Sequence, residues 1–144
     1  MKKLFLTAVF LLLSICSHLQ AQGSFTDLLT KQFHQAWNAE NINEMVNLIQ
    51  PNAFYKSQHQ LWNGSDRMKS TVLKTNPPLY KFTATKELHS RVEDQMAWSI
   101  GEFTCDVYEN GSKTGKQMKG TYTYVFTKKT NKDWKLQMMI YHEE

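Results

Sequence analysis

Hydrophobic side chains recur at intervals of three and four residues in the first part of the chain. From Phe25 to Trp37 they fall on one face of a helix. A shorter apolar run from Met45 to Ile49 predicts a second helix, which we expect to end before Pro51 because proline interrupts helical hydrogen bonding. The first half of the chain therefore has a helical period.

The period changes to two after residue 79. We expect a short hairpin before Asn63-Gly64, a third helix from Ser65 to about Thr75, and then four long strands. The inner face is assigned to Tyr80, Phe82, Leu88, Val92, Tyr122, Tyr124, Phe126, Leu136, Met138 and His142, and the polar face of the first long strand to Thr85, Glu87 and His89. Three helices followed by an antiparallel meander predict an α+β fold.

The N-terminus has the pattern of a secretory signal peptide. Lys2 and Lys3 precede an apolar run over 4–15 that is too short for a comfortable membrane span. We expect cleavage after residue 22, one domain over 23–144, and a secreted or periplasmic protein with no membrane segment in its mature form. A lipid anchor on Cys16 is the alternative, although bulky Ile15 precedes it.

Charge and cysteine content narrow the function classes. Without residues 1–22 the chain has 15 Lys and Arg against 13 Asp and Glu, a net charge of +2, so we expect no nucleic-acid partner. Cys105 is the only cysteine after residue 22, which excludes an internal disulfide. We interpret Cys105 as a buried strand residue, and the alternative of a nucleophilic thiol lacks a basic partner. No histidine pair has the spacing of a zinc motif, so we expect no metal and no cofactor.

Three stretches together carry a family resemblance: "FHQAWNAENINEMVNLIQPNAFY", "WNGSDRMK" and "KGTYTYVFTKKTNKDWKLQMMIYHEE". In this order the chain resembles the nuclear transport factor 2-like superfamily, and within it the SnoaL-like branch and its secreted relatives of unknown function. The resemblance implies a cone in which N-terminal helices pack on a curved antiparallel sheet and a pocket opens at the wide end. Members include enzymes and association domains, so the fold alone does not give the function.

The inner face is rich in aromatic rings with polar tips, which suits a pocket for a small, partly apolar ligand. The alternative is that the rings fill the core. The residues that we expect to bind a ligand are Phe33, Trp37, Tyr55, Trp62, Trp98, Tyr122, Tyr124 and Met138.

The candidate catalytic residues are Glu102 and His142 as bases and Tyr122 as a proton donor or oxyanion partner. Glu102 enters the cone only if it shares the inner face with Trp98, and the phase of that strand stays open. Three functions follow: a binding module for a small ligand, a cofactor-independent isomerase, lyase or hydrolase, and a homodimeric association domain that uses Met139 and Tyr141 on the outer face.

Overall fold

The computed structural model describes residues 25–58, 60–67, 80–129 and 133–144. The predicted signal peptide, Cys16 and residues 68–75 of the third predicted helix lie outside this part of the chain. Helix α1 covers residues 25–38, and α2 is Ile42–Asn47. The side chain of Asn41 caps α2 by accepting a hydrogen bond from the Glu44 N–H at 3.2 Å. Residues 65–67 are helical, as expected for the start of the third helix.

Six strands form one curved sheet that follows the helices. They are β1 (Ile49–Lys56), β2 (Leu61–Asn63), β3 (Tyr80–Val92), β4 (Met96–Glu109), β5 (Ser112–Lys128) and β6 (Trp134–Glu143), in the order β2-β1-β6-β5-β4-β3. The prediction of an α+β fold is confirmed. The sheet is not purely antiparallel, because β1 pairs with β6 in parallel.

One predicted boundary, the end of the second helix, differs from the structure. Helix α2 ends at Asn47 and β1 begins at Ile49, so Pro51 lies inside a strand and does not follow a helix. A tight turn joins β4 to β5. Asn110 and Gly111 have φ angles of 51° and 78°, the left-handed conformation of a two-residue hairpin turn, so β5 starts at Ser112.

The inner face of the sheet is the one that α1 covers. Phe33 of α1 packs edge-on against Tyr124, with ring centroids 6.1 Å apart. On β5 the buried residues are Gly120, Tyr122, Tyr124 and Phe126, so the alternation predicted for this strand is confirmed.

The phase of β4, which the sequence left open, is now defined. From Ala97 to Cys105 its buried residues are Ala97, Ser99, Gly101, Phe103 and Cys105, whereas Glu102 is exposed. Asp106, which follows Cys105, is also buried. Gly101 lies under the Tyr122 ring, and a Cβ atom there would come within 2.5 Å of the Tyr122 hydroxyl oxygen. This close approach requires a glycine and keeps the odd-numbered residues inside.

On β6 the predicted alternation is wrong beyond Leu136. Val125 pairs with Met138 and Phe126 with Leu136, so Gln137 is an extra residue in a bulge. A one-residue insertion transfers all later side chains to the opposite face. Met139 is consequently 1% exposed in the core, while Met138 faces outward and His142 is exposed. Met139 and Tyr141 therefore do not form an outer contact surface.

The predicted alternation of inner and outer residues is also wrong on part of β3. Its register against β4 shifts between Phe82 and Ala84 and again between Glu87 and His89. The first shift brings Glu87 to the inner side, where it accepts a hydrogen bond from Thr26 of α1 at 2.6 Å, and leaves Leu88 half exposed. Glu87, which the alternation placed on the polar face, is thus an inner carboxylate. Within the described residues, no helix is long and apolar enough to cross a membrane.

Candidate functional site

The rings of the inner face divide into two groups with different burial. We call Phe33, Tyr122, Tyr124 and Phe126 the closed ring set, because each is at most 2% exposed. We call Trp37, Tyr55, Tyr80, Phe82 and Tyr141 the open ring set, because each keeps an intermediate exposure although it packs against the same core. The open ring set is therefore the part of the inner face that solvent reaches.

The closed ring set is held by edge-to-face contacts beneath α1. Tyr124 has its ring centroid 6.1 Å from that of Phe33 and 6.1 Å from that of Phe126, both nearly perpendicular, and 4.7 Å from that of Tyr122. Such arrangements add to the free energy of burial because ring edges meet ring faces. This part of the inner face is a packed core.

A buried histidine connects the two ring sets. Nε2 of His34 lies 2.6 Å from the Tyr124 hydroxyl oxygen, and that hydroxyl also forms a short hydrogen bond with the Tyr141 hydroxyl. The imidazole stacks on Phe82 with centroids 3.7 Å apart. Burial lowers the pKa of His34 to about 3, so the imidazole is neutral at neutral pH. A neutral imidazole can donate to Tyr124 or accept from it, depending on the tautomer.

The open ring set is continuous. Tyr55 stacks on Trp62 at 3.9 Å between centroids and lies 5.6 Å from Tyr141. Phe82 in turn lies 6.0 Å from Tyr141. The Trp37 indole donates a hydrogen bond to the Tyr80 carbonyl oxygen at 3.0 Å, which fixes α1 at the start of β3.

The polar groups of this region keep their protons. Burial raises the pKa of Tyr55 to about 12, with Glu143 as a smaller contribution. Burial also raises the pKa of the Cys105 thiol to about 12, and the charges of Asp106 and Glu143 add to it. The same two causes, burial first and then Glu143, raise the pKa of Tyr80. The phenols are hydrogen-bond donors at neutral pH, and Cys105 is not a thiolate, so the nucleophile alternative has no support.

A second polar cluster lies nearer the N-terminus of α1. The Glu87 carboxylate accepts hydrogen bonds from the hydroxyls of Thr26 at 2.6 Å, Ser90 at 2.7 Å and Ser99 at 2.8 Å. The three hydroxyl donors give this partly buried carboxylate hydrogen-bond partners inside the protein. The cluster ties α1 to β3 and β4.

The predicted site residues are distributed over three environments. Phe33, Tyr122 and Tyr124 belong to the closed ring set, and Trp37 and Tyr55 to the open one, with Trp62 stacked beside them. Trp98 and Met138 face the outer side of the sheet. Glu102 and His142 are exposed, so neither candidate base meets Tyr122 on the inner face.

Two inner polar residues were missed. They are His34 of α1, which is absent from the predicted site, and Glu87, which the alternation along β3 assigns to the polar face. Thr26, Thr30 and His34 are spaced four residues apart and are all buried, so they form a polar line within the apolar face of α1. That spacing was the available signal for His34, whereas the β3 bulge left none for Glu87. Among the described residues, no group of three His, Cys, Asp or Glu side chains is placed to hold a metal ion.

Comparison with known proteins identifies the fold. No protein-family model matches the chain, and no curated protein matches it. A nuclear transport factor 2-like superfamily protein from Salmonella enterica serovar Typhimurium superposes with a TM-score of 0.68 at 10% identity, over 85% of this chain and 90% of the other. An NTF2-like protein of unknown function from Shewanella oneidensis gives 0.57 at 17% identity, over 81% of this chain and 95% of the other.

A third solved structure is described as a candidate calcium/calmodulin-dependent protein kinase II association domain from Xanthomonas campestris. It superposes with a TM-score of 0.64 at 17% identity, covering 83% of this chain and 85% of the other. The chain therefore has the nuclear transport factor 2-like fold, as the sequence motifs indicated. Identities this low show the fold, and the SnoaL-like branch stays a prediction.

Proposed function

We propose that the protein binds a small, partly apolar ligand against the open ring set. The observation that carries this proposal is the incomplete burial of Tyr55, Tyr80 and Phe82 on the concave side of the sheet. Rings that only filled the core would be sealed, as the closed ring set is. Partly exposed rings on a concave surface provide area that a ligand can cover.

The chemistry of the open ring set favours a flat ligand with one polar group. The stacked pair of Tyr55 and Trp62 presents a planar surface. Phenol hydroxyls with raised pKa values remain donors, so a carbonyl or hydroxyl oxygen on the ligand would find a partner there. The enzymatic alternative is less well supported, because the exposed Glu102 and His142 are far from being desolvated bases.

Binding can be tested with bicyclic probes that carry one oxygen, 1-indanone and 2-naphthol. We expect the indole N–H resonances of Trp37 and Trp62 to shift on titration, with Trp98 on the outer face as the internal reference. Tyr55→Ala should weaken the affinity of a responding probe by about tenfold, because it removes half of the stacked pair. Tyr108→Ala is the matched control, since Tyr108 is a half-buried ring outside the open ring set.

The proposal fails if neither probe shifts the Trp37 and Trp62 resonances at millimolar concentration. It also fails if the shifts concentrate on Trp98, or if Tyr55→Ala and Tyr108→Ala weaken binding equally.

We also propose that the chain is exported and processed near residue 22. The basic pair followed by a short apolar run supports this proposal. Mass analysis of the protein from the exported fraction should give an N-terminus at or close to Gly23. A lipid-modified Cys16 at the N-terminus would contradict it.

A second candidate function, self-association, is favoured by the outer face of the sheet. Phe54, Met138, Val125 and Trp98 are register neighbours across β1, β6, β5 and β4, and Ile140 and Ile100 lie in the adjoining row. We call these six residues the outer apolar band. Ile100 is 37% exposed, and Phe54, Trp98, Val125, Met138 and Ile140 are partly buried. An apolar band on an exposed sheet face is a typical contact between subunits.

Sedimentation equilibrium tests this candidate. A dimer should dissociate in Ile100→Lys, whereas Leu28→Lys should sediment as the wild type does, because Leu28 is 62% exposed on α1 and lies outside the band. If the wild-type protein sediments as a monomer at about 100 µM, a concentration at which even a weak dimer would form, a stable dimer is excluded.

A further inference from the structure

The bulge in β6 brings a carboxylate to the inner face of the sheet near the C-terminus. Beyond the bulge the inner residues are Met139, Tyr141 and, by the same alternation, Glu143. Burial agrees with this assignment, because Glu143 is partly buried whereas His142 and Glu144 on either side of it are exposed. Glu143 is therefore an inner acidic residue that the predicted alternation along β6 had placed on the outer face.

Glu143 lies beside the open ring set. It pairs with Gly120 of β5, which has no side chain, and the Phe103 ring lies 3.0 Å from the position that a Cβ atom of this glycine would take. The centroid of the Phe103 ring is 5.5 Å from that of Tyr141 and 5.9 Å from that of Phe82. Glu143 thus belongs to the row of inner residues in which Phe103 contacts two rings of the open ring set.

The charge of Glu143 also acts on rings of two other strands. After burial, it is the next cause that raises the pKa of Tyr55 on β1 and of Tyr80 on β3. The side chain of Gln58 donates a hydrogen bond to the Glu143 carbonyl oxygen at 2.7 Å, which holds the end of β6 against the segment that follows β1. In the sheet order β1 and β3 lie on opposite sides of β6, so one carboxylate affects rings from both sides of the concave face.

We propose that, among flat ligands with one polar group, the open ring set selects organic ammonium cations, with Glu143 as the specificity-determining residue. This inference rests on the ligand site proposed above. The faces of tyrosine and tryptophan rings attract an ammonium group because the ring quadrupole is negative there. The carboxylate adds a charge interaction, and phenol oxygens can accept hydrogen bonds from ammonium N–H groups. A carboxylate has about four acceptor positions, so the contacts of Glu143 within the protein do not preclude a ligand ammonium.

The test compares two probes with the same bicyclic frame, 2-aminoindane, which is a cation at neutral pH, and the neutral 2-indanol. Titrations followed by the indole N–H resonances of Trp37 and Trp62 should give an affinity about five- to tenfold higher for the cation. Glu143→Gln removes the charge and keeps the shape, so it should weaken the binding of 2-aminoindane about fivefold and change that of 2-indanol by less than about twofold. Glu144→Gln is the matched control, because it removes the same charge from the exposed neighbouring residue.

A variant that retains the charge separates the effect of the carboxylate from a change in folding. Glu143→Asp should still bind 2-aminoindane more tightly than 2-indanol, whereas Glu143→Gln should bind the two probes about equally. The dispersion of the amide resonances of each variant shows whether it is folded. A preference for the cation that persists in a folded Glu143→Gln would assign it to the rings alone and overturn the role of Glu143.

Equal affinities of the wild type for the two probes would overturn the inference while the ligand site itself stands. Equal losses of 2-aminoindane affinity in Glu143→Gln and Glu144→Gln would do the same, because the charge would then act without regard to the face on which it lies. If neither this pair nor the oxygen-bearing probes shift the two indole resonances, the ligand site fails and the inference fails with it.

Discussion

The closed and open ring sets are built from the same residue types on the same sheet face, yet they differ in what their rings contact. The closed ring set meets α1 and its own members, and Tyr124 has both hydrogen-bond partners inside the protein. The open ring set lies where α1 ends, so Tyr55, Tyr80 and Phe82 keep part of their surface in solvent. The number of aromatic residues on a sheet face therefore does not locate a ligand site. What locates it is whether a helix packs over the rings.

His34 lies between the two ring sets and contacts both. It stacks on Phe82 of the open ring set and hydrogen-bonds to Tyr124 of the closed one. Changes in the closed ring set should thus affect the free energy of unfolding, and changes in the open ring set should affect ligand affinity.

The strongest test compares two adjacent methionines on β6. Met139 is 1% exposed and pairs with Tyr124, so Met139→Lys buries a charge with no counterion and should lower the free energy of unfolding by about 4 kcal/mol or more. Met138→Lys places the same charge on the outer face and should cost less than about 1 kcal/mol. Urea unfolding followed by circular dichroism measures both. Equal losses would mean that the bulge at Gln137 is misplaced.

A second test uses pH. The pKa of His34 is about 3 in the folded protein and about 6.5 when unfolded, so the unfolded state binds the proton first as the pH falls. The contribution of His34 is complete above pH 6.5 and is lost as the pH falls towards 3. Below pH 6.5 the free energy of unfolding falls by about 1.4 kcal/mol per pH unit, which amounts to a loss of about 2 kcal/mol at pH 5.

This slope should flatten in His34→Gln and persist in His142→Gln, whose histidine is exposed. Unfolding curves at pH 7, 6 and 5 for the three proteins check it. Parallel pH profiles for the wild type and His34→Gln would show that His34 is not buried in its neutral form.

The smallest expected effect on stability comes from removing a single tyrosine hydroxyl, and it should differ between the two ring sets. Tyr124→Phe leaves His34 and Tyr141 without their shared partner in the core and should lower the free energy of unfolding by about 1–2 kcal/mol. Tyr80→Phe removes a hydroxyl from the open ring set and should cost less than about 0.5 kcal/mol. Thermal melts at pH 7 measure both, and a larger loss for Tyr80→Phe would contradict the division into two ring sets.

The sequence predicted the fold and, on β5, which residues face the core. The success on β5 and the failures on β6 and β3 depend on whether the alternation along each strand is regular. On β5 tyrosines and threonines alternate without a break over the stretch that crosses the core, so the inner face was assigned correctly. On β6 and β3 a single extra residue reverses the alternation, and no glycine or proline marks the bulge at Gln137. Glu87 on β3 was therefore assigned to the wrong face, as were Met138, Met139, Tyr141 and His142 on β6.

The candidate site was only partly predictable. Trp37 and Tyr55 are on the inner face because their helix and strand periods are regular. Glu102 was ambiguous because both faces of β4 carry polar residues, and only the contact of Tyr122 over Gly101 decides between them. That contact joins two strands, so no pattern along one strand contains it.

The parallel pairing of β1 with β6 has a consequence for how the chain folds. Residues 85 positions apart in sequence, such as Asn52 and Gln137, must meet before β1 and β2 join the sheet. The hairpins from β3 to β6 connect neighbours and can form early, whereas closing so long a loop has a high entropic cost. The surface beside Tyr55 therefore depends on a long-range pairing, because β1 and β2 join the sheet only through β6.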